Sequence, residues 1–187
     1  MLPALVFDTE TSGLAGCVLQ IGWVLADDAG TELASHQQLW KLPRGERIHS
    51  RAITKHGISE AQLAQHGVEA SPELLEFHAL VHAALALSVC VLAHNVSFDV
   101  ARLNHTAHKF KLKGCVLKSA QMLCTMHTAT KHCELRTRCG KRVKAPSNEE
   151  LYLKLHGRKP NGRLHTALAD CRVTLSSYIL GKQKRWW

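Results

Sequence analysis

Leu2-Pro3-Ala4-Leu5-Val6-Phe7-Asp8-Thr9-Glu10-Thr11-Ser12-Gly13 decides how the rest of the chain is read. Its apolar run predicts a buried strand over Leu2 to Asp8, and Thr11-Ser12-Gly13 predicts a turn after it. Side chains alternate between the faces of a strand, so Asp8 and Glu10, two apart, project the same way. Neighbouring carboxylates repel unless a cation lies between them. The pair also fits a plain polar transition from strand to turn, so its chemistry depends on what else the chain brings to it.

Outward from this stretch, Val18 to Leu25 and Glu32 to Leu42 read as two further strands around the turn Asp27-Asp28-Ala29-Gly30. The three form an antiparallel meander. Ala52 to Lys55 reads as a short helix ending at Gly57. Ser59 with Gln62 is a capping box for another, ending before Gly67. Ser71-Pro72-Glu73 combines an N-cap, a first-turn proline and an acid at the positive dipole end, predicting a helix to about Ala86. Val89 to Ala93 reads as a buried strand, Phe98 to Lys109 as a helix, and Gly114 to Met126 as a segment containing a strand. Ser147 with Glu150 opens a helix through Leu155 that stops at Gly157. Thr166 to Leu180 is the final helix, ended by Gly181. Strands followed by alternating helix and strand predict an α/β fold.

The chain's 187 residues suit one domain, 1–181, with a short basic tail at 182–187. The net charge of +9 and pI of about 9.4 fit a polyanionic partner, although the balance alone shows only a positive field. No stretch approaches the ~18 apolar residues of a membrane span, and no signal peptide is visible. Seven cysteines without a secretory signal read as reduced thiols in a cytoplasmic or nuclear setting.

Two later segments carry further acids: His94-Asn95-Val96-Ser97-Phe98-Asp99 and His165-Thr166-Ala167-Leu168-Ala169-Asp170. An isolated Asp99 near a helix start reads equally as a cap or dipole partner. An isolated His165–Asp170 pair reads as an N-terminal histidine and a helix-face acid. Together, in this order and with this local spacing, the three segments resemble the DnaQ-like 3′→5′ exonucleases of the DEDDh type, from Leu2 to about Leu180.

That resemblance implies a ribonuclease H-like fold: a mixed central sheet with helices on both faces. It implies that Asp8, Glu10, Asp99 and Asp170 hold two divalent cations, with Asp8 bridging them. All-carboxylate ligation suits Mg²⁺ or Mn²⁺. His165 is implied as general base toward a water, a role suited to a residue type that titrates near neutrality. The implied reaction releases nucleoside 5′-monophosphates from the 3′ ends of single-stranded or frayed nucleic acid, with DNA favoured and RNA left open. The resemblance also places the Thr11 backbone at the terminal 3′-OH, Leu14 and Phe98 against the terminal base, and His56 at the nucleotide pocket. Their plain alternatives are core positions for Leu14 and Phe98 and a helix-terminal charge for His56. A polymerase or replication partner and a homodimer stay open, and no membrane is expected.

Two features lie outside that pattern. Cys124, His127, His132, Cys133 and Cys139 crowd one segment, but the paired Cys-x-x-Cys of a zinc ribbon is absent, so free thiols are the simpler reading. Lys131, Arg136, Arg138, Lys141, Arg142 and Lys144 fill a basic, aperiodic stretch that reads as a loop able to guide a phosphate backbone. The expectation is therefore a metal-dependent exonuclease. The alternatives are a non-catalytic nucleic-acid-binding or polymerase-associated module that keeps the fold, and a zinc-stabilised binding protein.

Overall fold

The computed structural model describes residues 3–162 and 164–187. Leu2, where the first strand was expected to begin, lies outside them. Five strands form one mixed sheet in the order β3-β2-β1-β4-β5. The strands β1 (Ala4–Thr11), β2 (Val18–Ala26) and β3 (Glu32–Leu39) make the expected antiparallel meander. β4 (Cys90–Ala93) lies parallel to β1, and β5 (Leu123–Cys124) lies parallel to β4.

Alternation along β1 sorts its side chains onto two layers. Leu5 and Phe7 face α3 (Ala70–Ala86) and α4 (Val96–Lys109), in a core with Leu74, Phe77, Val100 and Leu103. Ala4 and Val6 face α7 (Ala167–Gln183), against Cys171, Leu175 and Tyr178. Asp8 and Glu10 continue the second set, so the carboxylates prolong the α7 side of the strand. The expected sheet with helices on both faces is what the chain forms. The helices α1 (Ser50–His56) and α2 (Glu60–His66) cover Leu19 at one flank. At the other, α5 (Thr125–Cys133) and α6 (Asn148–His156) pack Ala129, Cys133, Leu151 and Leu155 beside the end of α7.

Several boundaries differ from the sequence reading. β3 stops at Leu39 rather than Leu42: the Trp40 amide still donates to Leu19 on β2, but the next amide, Lys41, donates to Val68 instead. α3 starts at Ala70, with Glu69 rather than Ser71 at its cap; Ala70 is drawn into the core, and Glu69 turns outward to Lys41 at 2.9 Å. α7 continues past Gly181 to Gln183, since the Trp187 ring occupies the space a side chain there would need. Lys131 to Cys133 belong to α5, and the rest of the basic stretch closes as a hairpin through an Arg136–Val143 bridge. Among the described residues no helix is long and apolar enough to cross a membrane.

Candidate active site

The four acids reach the site from three elements, β1, α4 and α7. Asp8 and Glu10 stand at the end of β1, where a bulge at Glu10/Thr11 breaks the register with β2. Asp8 pairs across the strands with Gly22. A side chain at Gly22 would collide with the backbone of Ala167 and Leu168, so this glycine lets α7 settle directly on the sheet. The first amides of α7 then find partners on the sheet: Ala167 donates to Gln20 Oε1 and Leu168 to Gln37 Oε1, both at 3.0 Å. Thr166 caps the helix through the Ala169 amide. Asp170 is thereby fixed in the first turn of α7, facing β1. Asn148, at the start of α6, donates to the Asp170 carbonyl at 3.1 Å and secures the same turn from the other side.

Asp99 is carried by the first turn of α4, whose cap, Asn95, takes the left-handed conformation at φ 70°. Its Oδ1 accepts two hydrogen bonds from Thr9, one from the hydroxyl at 2.7 Å and one from the amide at 3.1 Å. His94, just before it, is wedged between the Thr125 hydroxyl and the Pro146 carbonyl. The carbonyl can only accept, so His94 Nε2 carries the proton. Burial lowers the His94 pKa to about 4, against the raising effect of that bond. This neutral ring ties the α4 entry to the segment leading into α6.

Asp8, Glu10 and Asp170 present carboxylate oxygens within 4.8 Å of one another. Glu10, Asp99 and Asp170 are buried, and Asp8 opens partly onto the cleft. Burial, then Asp99, Asp170 and Glu10, push the Asp8 pKa well above the usual carboxylate range. Burial raises Glu10 to about 7; Lys55 opposes this and Asp170 and Asp99 add to it. Burial also lifts Asp99 to about 7 against the two Thr9 bonds, and lifts Asp170 against the His165 amide. A cluster of buried acids that share oxygen ligands and resist ionisation together fits a hard divalent cation. Thiolate and imidazole ligands are absent from this group, so the donor set suits Mg²⁺ or Mn²⁺.

His165 lines the same cleft as the four acids and is exposed. Its backbone sits at φ 72°, in the left-handed region that costs a non-glycine residue about 1–3 kcal/mol. Its amide donates to Asp170 Oδ2 at 2.9 Å, which holds the strained residue against the acid cluster.

Beside the acids a cavity of about 710 Å³ is lined by Thr11, Leu14, His56 and Phe98, the residues expected to meet the terminal nucleotide. Leu14 is 88% exposed and Phe98 half-buried, so neither is an ordinary core residue. His56 is buried: its Nδ1 accepts from the Ile58 amide at 2.9 Å, leaving Nε2 to donate to the Thr11 carbonyl at 3.2 Å. Burial lowers its pKa, so it is a neutral anchor between α1 and β1 rather than a helix-terminal charge. Sequence reasoning gave no role to Thr9, Gly22, Asn148 and Lys55; Thr9 lies within the first acidic stretch, and the other three carry no local motif.

The cysteine-histidine segment does not converge. Cys124 ends β5, His127 is exposed, His132 stacks on Trp186, Cys133 is buried and Cys139 stands on the hairpin. Among the described residues, Asp8, Glu10 and Asp170 form the one group of three or more that could hold a metal; Asp99 lines the same cleft outside that group. All seven cysteines are free.

A mixed sheet flanked by helices, with acids from β1, α4 and α7 meeting at one edge of a cavity, defines a nuclease-like α/β domain. The exonuclease family model of the RNase T type matches residues 5–178. The chain belongs to that family, within the DnaQ-like superfamily. No curated protein matches the sequence. Among solved structures, exonuclease X in complex with 5′-overhanging duplex DNA is 25% identical at a TM-score of 0.60, covering 98% of this chain and 93% of that one. An E. coli exonuclease I–single-stranded DNA complex is 17% identical at 0.70, covering 99% of this chain and 41% of that one. A 3′-exonuclease that recognises the histone mRNA stem-loop is 15% identical at 0.72, covering 97% and 64%. The chain thus spans about two fifths of exonuclease I and nearly all of exonuclease X.

Proposed function

We propose that the protein is a metal-dependent 3′→5′ exonuclease that trims single-stranded or frayed ends, with DNA as the favoured substrate. The observation that carries this is the meeting of Asp8, Glu10, Asp99 and Asp170 in one cleft, which adjoins the cavity of about 710 Å³ lined by Thr11, Leu14, His56 and Phe98. The likeness to exonuclease X, a DNA-bound enzyme of similar length, supports DNA over RNA.

In this reading the four acids hold two Mg²⁺ or Mn²⁺ ions. Bound there, the ions would supply Lewis acidity toward the phosphodiester and its attacking water. The chain's own residues do the rest. Leu14 and Phe98 grip the terminal base, while His56 keeps the Thr11 carbonyl in place for the 3′-OH. Thr9 fixes the Asp99 carboxylate. The imidazole of His165 takes a proton from the attacking water. Water oxygen bonds to phosphorus as the bond to the upstream 3′ oxygen breaks, and that oxygen takes up a proton as it leaves. The products are a nucleoside 5′-monophosphate and a strand one residue shorter with a new 3′-OH.

The test is digestion of matched single-stranded DNA and RNA, labelled at the 5′ end, with Mg²⁺ and with Mn²⁺. A descending ladder, faster on DNA and absent in chelator, is expected. Rapid cutting of a closed circular single strand, or full activity in chelator, overturns the reading.

A further inference from the structure

The acid cleft and the nucleotide cavity adjoin along Thr9, Glu10, Leu14, Lys55 and Phe98. Among the described residues, Lys55 is the one cationic side chain that lines both. It stands in the last turn of α1, beside His56, which turns inward and pins that turn to Thr11. Lys55 itself is exposed. No hydrogen bond or ion pair to a described residue holds its ammonium. Its charge acts on all four acids, favouring their ionised forms. The plain explanation, a lysine complementing a helix C-terminus, accounts for the position along α1 but not for its place at the junction of the two sites.

We propose that Lys55 is a phosphate-binding residue: its ammonium contacts the phosphate that joins the last nucleotide to the strand, and retains the nucleoside 5′-monophosphate once that bond is cut. This rests on the exonuclease reading. A nucleotide with its base at Leu14 and Phe98 and its phosphate at the acids must pass that phosphate across the shared rim, where Lys55 stands. A flexible four-carbon stem carrying a point charge suits such a contact, since it can leave the carboxylates as the phosphate arrives.

The experiment compares the wild type with Lys55→Met and Lys55→Arg. Binding of thymidine 5′-monophosphate, Mn²⁺ affinity without nucleotide, and the salt dependence of single-strand binding are each measured. Lys55→Met is expected to weaken monophosphate binding about tenfold, as befits one charge-assisted contact, with Lys55→Arg largely restoring it. The log–log salt slope should shrink by about 0.7, the value for one phosphate on a single strand. Mn²⁺ affinity should hold or improve, since a competing cation has been removed. Unchanged monophosphate binding in Lys55→Met overturns the proposal, as does a loss matched by lost Mn²⁺ affinity. If the wild type shortens no 3′ end yet binds the monophosphate through Lys55, the exonuclease reading falls and the phosphate site stands.

Discussion

Replacing Glu10 by Gln should make the metal-free protein more stable, not less. Glu10 is buried beside Asp8 and Asp170, and its pKa rises from 4.5 to about 7. A folded-state pKa above the unfolded value means that folding takes up a proton between those two limits. The native state therefore keeps its full stability below pH 4.5, loses it progressively as pH rises to about 7, and stays at the lower level above that. The loss for this one group corresponds to about 3 kcal/mol. A buried glutamine amide brings a desolvation cost of its own of about 1 kcal/mol or more, leaving a net gain of up to about 2 kcal/mol. For a domain of this size that is a rise of up to roughly 8 °C in Tm. The assay is thermal unfolding in EDTA at pH 8 and again at pH 5, where the gain should fall below about 1 kcal/mol. Added Mn²⁺ should reverse the order, stabilising the wild type more than the variant through its intact ligand set. A lower Tm for Glu10→Gln in EDTA at pH 8 would refute the idea that burying the Glu10 carboxylate, with Asp170 and Asp99 near it, costs stability without a cation.

Thr9→Val removes the 2.7 Å hydroxyl bond to Asp99 and leaves a buried carboxylate short of a donor. Cleavage should fall about 10-fold or more, and thermal stability by about 1–3 kcal/mol, measured by initial rates and melting on the same sample. His165→Ala should slow single-turnover cleavage by about 10²–10⁴ while Mn²⁺ affinity stays near the wild-type value; loss of both would make His165 a structural residue instead. Replacing Arg136, Arg138, Lys141 and Arg142 with Glu should flatten the salt dependence of single-strand binding, by up to about 0.7 in the log–log slope for each phosphate the hairpin no longer neutralises. An unchanged slope would place the strand's path away from the hairpin.

Local rules made much of this molecule readable. Alternation put Asp8 and Glu10 on one face, and the two capping boxes at Ser59 and Ser147 form as expected, with both reciprocal bonds present. Long-range fit was not readable. Thr9 serves Asp99 ninety positions away, and Gly22 matters only because α7 lands on it. Ser71-Pro72-Glu73 is a sound start signal that lost to the burial of Ala70, two residues ahead of the expected first turn. Gly181 failed to stop α7 because the space above it is filled by Trp187, whose indole donates to the Tyr178 carbonyl at 2.9 Å. Lys55 carries no pattern, since its role depends on how α1 is anchored to β1.

The order in which the chain is made gives the packing of α7 a further meaning. Among the described residues all five strands lie before residue 125, yet one face of β1 and β2 is covered by a helix that begins at Ala167. Until that helix is synthesised and docks, Ala4, Val6, Val24 and Ala26 have no apolar cover, and Asp8 and Glu10 lack Asp170. A nascent chain that has completed its sheet therefore carries a bare, sticky face and an unfinished acid cluster. Covering the one completes the other in a single event. On the proposed function, hydrolytic competence arrives together with protection from aggregation, and a partly made chain has neither.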